Sequence, residues 1–315
     1  MKIQKIFLIL LVLFALTACQ KSPVQVEVPD NEILAISRYQ NYAYGYQDAG
    51  TFICTDGKVY SFNFSQNIYG KDSGNSEEIL LKKLKLIMEH AEPFVVIDKE
   101  DIQRIYSYIQ EIDANDKCKT KNVAFDAGSK TLQFHNVSEN KLILCRESGD
   151  YEGELKNRAA TALLDFYDNT ILSVISETEE SSQTNSSNYL YTNEDINFYN
   201  IHCGYTGKEG TYIIKEKADV QKVKKATGID LNDFKWNFGF PNEHYVYVMK
   251  FEDVSNVGYD LKSNAVLIRK DNVTFLSSPE SKVPEEGKEY GQAMDGFCYI
   301  AEVPKCAMTN IDDSK

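Results

Sequence analysis

Along the chain, apolar positions recur with helical period in a few stretches and with strand period in many more. In "SEEILLKKLKLIMEHAEP", Leu80, Leu84, Ile87, Met88 and Ala91 fall on one helical face. Ser76 can cap that helix, Glu77 and Glu78 sit at its positive end, and Pro93 closes it. A second helix is predicted at "DKEDIQRIYSYIQEI", with Asp98 as cap and Ile102, Ile105, Tyr106 and Ile109 inward. A third runs from about Glu154 to Ile175, striped by Leu155, Ala159, Ala162, Leu163 and Phe166.

Strand patterns surround these helices. "TFICTDGKVYSFNF" reads as a hairpin, because Asp56-Gly57 supplies the positive φ of a two-residue loop. "FVVI", "NVAFDA", "KTLQFH" and "KLILCR" read as further strands, with turns at Ala127-Gly128 and from Ser138 to Asn140. "NYAYGYQ" places Tyr42, Tyr44 and Tyr46 at period two, opposite Asn41, Gly45 and Gln47. That face is expected to lie under the helices; exposed, it could stack on sugars or grip a partner's edge. Farther on, "NFYNIHC", "TYIIKE", "HYVYVMKF", "NAVLIRK", "NVTFLSS" and "GFCYIAEVP" are strands, and Gly228 stops a short helix at "ADVQKVKKATG".

Two segments lack periodicity. "QKSPVQVEVPDN", within residues 19–31, carries Pro23 and Pro29 and reads as a tether. "SETEESSQTNSSN", residues 176–188, is acidic, serine-rich and without an apolar residue, so it reads as a linker. The expected organisation is a domain at 32–175 and a mostly-β domain at 189–310. The fold class is α+β: two domains, each a mainly antiparallel sheet with packed helices.

The first residues address the chain. Lys2 and Lys5 precede an apolar run from Ile6 to Ala15. At about 15 Å as a helix, it covers half of a hydrocarbon core. This is the layout of an export signal, residues 1–18. Leu16-Thr17-Ala18-Cys19 resembles the lipobox of bacterial lipoproteins, which implies cleavage before Cys19 and diacylation of its thiol. Two acyl chains anchor stably where one does not. The expected location is the extracytoplasmic face of a cell membrane, with the membrane itself as a partner through Cys19.

Composition then narrows the functions. The net charge of −13 becomes −15 once Lys2 and Lys5 are removed with the signal, which opposes nucleic-acid binding. Of seven cysteines, Cys19 is assigned to lipid. Cys54, Cys118, Cys145, Cys203, Cys298 and Cys306 remain, without a C-x-x-C and with fifteen possible pairings. The alternative is that they are small buried apolar residues. An extended "YIAEVPK" keeps Cys298 and Cys306 too far apart for a bridge.

Catalytic and cofactor motifs are not met. Gly70-Lys71-Asp72-Ser73-Gly74 is not G-x-S-x-G, and His202-Cys203, as strand neighbours, point to opposite faces. No H-E-x-x-H, paired C-x-x-C or phosphate loop occurs. Asp113-x-Asn115 and Asp230-x-Asn232 begin like calcium loops but do not continue as such, and Glu177, Glu179 and Glu180 lie in the linker. No metal, cofactor or catalytic residue is expected.

From about residue 230 to 305 the order of features resembles the C-terminal domain of the PrcB family, lipoprotein subunits of a surface protease complex. The matching residues are "DFKWNF", "YVYVMKF", "VGYDLKSNAVLIRKDNVTFL" and "GFCYIAEVPK". The family's Gly-Gly-Tyr turn is here Val257-Gly258-Tyr259, and "EDVSN" replaces its Gly-Glu-x-Pro stretch. The resemblance implies a non-enzymatic module that binds a protein partner at the cell surface. The hairpin led by Gly258 and Tyr259 is its candidate contact, since a glycine turn exposes backbone and a tyrosine gives rigid contact area. The competing expectation is an extracytoplasmic hydrolase of wall polymer or peptide, which needs a pocket of hydrogen-bonded titratable groups.

Overall fold

The computed structural model describes residues 27–43, 46–64, 76–181, 188–203, 209–230, 245–254, 259–269, 272–281 and 295–308. The strands are β1 (Ile33–Asn41), β2 (Gln47–Cys54), β3 (Lys58–Asn63), β4 (Val95–Val96), β5 (Lys121–Asn122), β6 (Ser129–Asn136), β7 (Lys141–Gly149), β8 (Tyr151–Glu154), β9 (Tyr189–Thr192), β10 (Phe198–His202), β11 (Gly210–Ile214), β12 (Tyr245–Val254), β13 (Tyr259–Arg269), β14 (Asn272–Ser281) and β15 (Asp295–Pro304). The helices are α1 (Glu77–His90), α2 (Lys99–Gln110), α3 (Arg158–Phe166), α4 (Leu172–Ser181) and α5 (Lys217–Thr227), with one wide π turn, Tyr167–Ile171, joining α3 to α4.

The larger sheet has the order β14-β13-β9-β3-β2-β1-β6-β7-β8-β5, with β4 beside β3; the smaller is β10-β15-β12-β11. Among the described residues every pairing is antiparallel except a single parallel step, Asn63 to Tyr189, between β3 and β9. Hairpin-linked sheets with helices laid across them make the α+β class.

Strand alternation sends side chains to opposite faces, and each face has its own cover. On one face of the larger sheet, α2 and α3 bury Ala35, Ile53, Leu132 and Phe134. On the opposite face α1 covers Ile36, Phe52, Tyr60 and Phe62, and also Leu190, Ala265, Leu267 and Leu276. This second cluster therefore joins residues from both sides of the acidic, serine-rich segment. Its fully buried side chains contribute roughly 1.5–3 kcal/mol each. Tyr191, Val266 and Ile268 turn the other way and pack on Val246, Val248, Tyr299 and Val303 of the smaller sheet. The far face of that sheet buries Tyr247, Met249, Phe251 and Ile300 with Val223 of α5.

Local signals in the sequence explain the element ends. Ser76 Oγ accepts from the Ile79 N–H (3.3 Å) and Asn157 Oδ1 from the Ala160 N–H (2.7 Å), each capping a first turn. Gly57 takes φ 85° in the β2–β3 turn, and Gly228 takes φ 79° as the C-cap of α5. The helix expected to end at residue 175 continues as α4 to Ser181; residues 182–187 lie outside the described set.

One strand departs from expectation. The strand drawn at "NYAYGYQ" is instead the connection between β1 and β2, and the pairing strand is the preceding "ILAISRYQN". The reason is burial on both faces: Ile33, Leu34, Ala35 and Ile36 are all buried, so no polar alternation announces the strand.

Candidate functional site

β1 leaves the core after Ile36 and runs to one end of the larger sheet. There Arg38 Nε and Nη2 donate to Asp48 Oδ1 and Oδ2 at 2.7 and 2.6 Å, a two-pronged pair across the β1–β2 hairpin. Tyr46 donates its hydroxyl to the same Asp48 Oδ2 at 2.6 Å. Burial alone lowers the Arg38 pKa, but the hydrogen bonds and charge of Asp48 hold it above the ordinary value. Burial, then the Asp48 carboxylate, push the Tyr46 phenol upward. Tyr42 lies against Tyr46, with ring centroids 5.2 Å apart and planes tilted by 44°. The expectation that the tyrosine face is covered fails at Tyr42, which is 61% exposed, because the chain is past the end of β1 and beyond the helices. Tyr44 lies outside the described residues.

A second segment meets this end. Residues 123–128 connect β5 to β6, where "NVAFDA" was expected to be a strand; only Asn122 and Lys121 pair with β8. The Val123 N–H donates to the Asp150 carbonyl (2.9 Å), the Asp150 N–H to the Gly128 carbonyl (2.7 Å) and the Ala127 N–H to Asp150 Oδ1 (2.9 Å). Tyr39 donates its hydroxyl to the Ala127 carbonyl at 3.3 Å, tying the loop to β1. Gly128 takes φ 75°, and a Cβ there would stand 2.7 Å from the Gln40 carbonyl oxygen, so only glycine fits. Asp126, a non-glycine residue, also takes a positive φ of 65°.

These two segments and the start of β8 bring Tyr39, Tyr42, Val123, Phe125 and Tyr151 to one end of the sheet, 36%, 61%, 48%, 84% and 44% exposed. Large apolar side chains exposed together at one end of a sheet are the candidate for an interaction surface. Sequence reasoning singled out Tyr42 but missed Tyr39, Phe125 and Tyr151. The available signal was the Asp126-Ala127-Gly128 turn that follows an aromatic.

No known family, curated protein or solved structure matches this chain.

The residues singled out earlier lie elsewhere. Cys19 and Gly258 are outside the described residues, as are Ser73 and the glycines around it; Tyr259 opens β13 opposite Ser281. Among the described residues, no group of three or more His, Cys, Asp or Glu is arranged to hold a metal ion. Cys54, Cys118, Cys145 and Cys298 are free thiols. Burial pushes Cys54 and Cys145 up to about 12, so they pack as small apolar residues and are poor nucleophiles. A shallow depression between the outer face of α1 and the β6–β7 turn includes His135. Its ring nitrogens are engaged within the fold, Nδ1 2.9 Å from the Ile33 carbonyl and Nε2 3.3 Å from Asn140 Oδ1.

Proposed function

We propose that this protein is a lipid-anchored extracytoplasmic lipoprotein that works as a non-enzymatic binding or regulatory protein. Its anchor is the lipid on Cys19, and its partner is a protein at the cell surface. The observation that carries the binding part of this reading is the aromatic end of the sheet around Tyr42 and Phe125, whose exposure costs solubility unless something covers it. The lipobox before Cys19 supports the location. The likeness of residues 230–305 to the PrcB C-terminal domain supports a partner-binding role and keeps the Gly258-Tyr259 hairpin as a second contact, with a surface protease complex as the corresponding partner.

Two measurements test the reading. Cys19→Ala is expected to move the protein from the membrane fraction to soluble or unprocessed forms; processed, membrane-bound protein after that change overturns the anchor. The chain from residue 20 onward is expected to retain a surface protein in pull-down, and Tyr42→Ala to weaken that retention at unchanged melting temperature. Retention unaffected by Tyr42→Ala but abolished by Tyr259→Ala would move the contact to the second site.

A further inference from the structure

We propose that Phe125 is a preorganised anchor that enters an apolar pocket of a protein partner, and that Asp150 is the positioning residue that holds it out. The inference rests on the reading of the sheet end as an interaction surface. Phe125 is 84% exposed, yet its loop is not loose. Its backbone is fastened to Asp150 on both sides of the ring, through Val123 and through Ala127 and Gly128. The left-handed turn at Asp126 and Gly128 sets the direction in which the loop projects. A side chain already held in its bound position loses little freedom on binding, so burial of the ring is retained as affinity.

The chemistry of the surroundings selects the partner. Stacking on sugars favours a flat, shared aromatic face, but the Tyr42 and Tyr46 planes are tilted by 44° and Phe125 projects from a different segment. An anionic bilayer would meet the exposed carboxylates of Asp126 and Glu152, next in sequence to Phe125 and Tyr151, on a chain of net charge −13. Two lysines stand nearby, Lys121 opposite Glu152 and Lys130 opposite Tyr39, and the carboxylates of Asp126, Asp150 and Glu152 outnumber them. A protein pocket accepts a single protruding ring and leaves flanking charges at its lip, where a basic group would complement Asp126. The partly exposed Tyr39, Tyr42 and Tyr151 would then surround the buried ring and exclude water.

The test uses the full, lipidated chain in its own cells. The photo-crosslinker benzoylphenylalanine replaces Phe125, and in separate chains Tyr42, Tyr151, Val96 or Leu172; the last two are exposed apolar positions on other elements, Val96 on β4 and Leu172 at the start of α4. A discrete protein adduct from position 125 is expected, stronger by about ten-fold than from 96 or 172. Adding Asp150→Ala is expected to reduce that adduct about five-fold, the weight of one hydrogen bond, and to speed amide exchange at Ala127. Asp150→Asn, which keeps an acceptor oxygen, is expected to preserve both. Adducts with lipid or glycan, or equal adducts from 96 and 172, overturn the proposal. Protein adducts from 42 or 151 without one from 125 overturn the anchor and leave the interaction surface standing; no adduct from any of the three overturns both. An Asp150→Ala chain that crosslinks like the parent removes Asp150 from the positioning role.

Discussion

Lys83 of α1 donates its ammonium to Asp195 Oδ1 at 2.6 Å, and both side chains are almost fully buried. The two residues are 112 positions apart, on opposite sides of the acidic, serine-rich segment. Asp195 is fully engaged: its Oδ2 accepts from the Thr192 N–H and hydroxyl, both at 2.9 Å. Lys83 also lies over the Phe64 ring, 5.2 Å from its centroid. Breaking such a pair from one side strands a charge in the core. Asp195→Ala is therefore expected to cost about 3–5 kcal/mol, measured by urea unfolding. Lys83→Met combined with Asp195→Asn should recover most of that loss, since neither charge is then left buried and the Asn oxygen can still accept from Thr192.

The core shared beneath α1 gives a second expectation. Leu84 and Ile87 cover Phe52 and Phe62 together with Leu190 and Leu267. If a specific protease site replaces residues 182–187 and is cut, the two pieces should still elute together on a sizing column and separate in urea. Pieces that part without denaturant would show that the cluster does not bind the halves. Leu84→Ala, at a fully buried position, should cost about 2–5 kcal/mol.

Glu302 supplies a pH dependence. Its carboxylate is buried on β15, near Asn197 Nδ2 (3.1 Å) and the Tyr247 hydroxyl (3.4 Å), and burial pushes its pKa up to about 7. The folded state thus keeps a proton that the unfolded state releases near 4.5. This contribution to stability is fully present below that pH and is lost as pH rises through about 7. Glu302→Gln should melt higher relative to the parent at pH 8 than at pH 5. An equal difference at both pH values would remove Glu302 as the cause.

Tyr46→Phe tests the base of the aromatic end. It removes one hydrogen bond to the buried Asp48 while leaving the Arg38 pair intact. The expected cost is about 1–2 kcal/mol in urea unfolding. Wild-type stability in that variant would make the Tyr46 contact dispensable.

Much of this architecture could be read from the sequence wherever one face is wet and the other dry. The stripes of α1 and α2 are of this kind; the Asp56-Gly57 hairpin was legible from its turn residues instead, since Phe52, Ile53 and Cys54 are all buried, and the last strand from an unbroken apolar run, Phe297 to Ala301. Two failures share a cause. β1 begins with Ile33 to Ile36, buried on both faces, and so carries no alternation. "NVAFDA" does alternate, but Val123 and Phe125 are exposed because the pairing with β8 stops at Asn122. Periodicity reports the pattern of apolar residues and not which surface receives them. The aromatic end was hidden for the same reason: it is assembled from the β1–β2 connection, the β5–β6 loop and β8, which only tertiary pairing brings together. The seam between β3 and β9 was equally hidden, since one parallel step leaves no local signature.

The direction of β1 has a mechanical meaning. The chain enters at Ile33, and the aromatic end lies beyond Asn41, about 27 Å away along an extended strand. A load applied between these ends pulls along β1, which is bonded to β2 on one side and β6 on the other. Where the grip is on Phe125, which leads into β6, force in that direction shears the β1–β6 ladder, so many hydrogen bonds must fail together where peeling would break them one by one. A lipidated chain held at one end and gripped at the other would resist extraction through its central strand, and tension would reach the outer elements only after that strand had slipped.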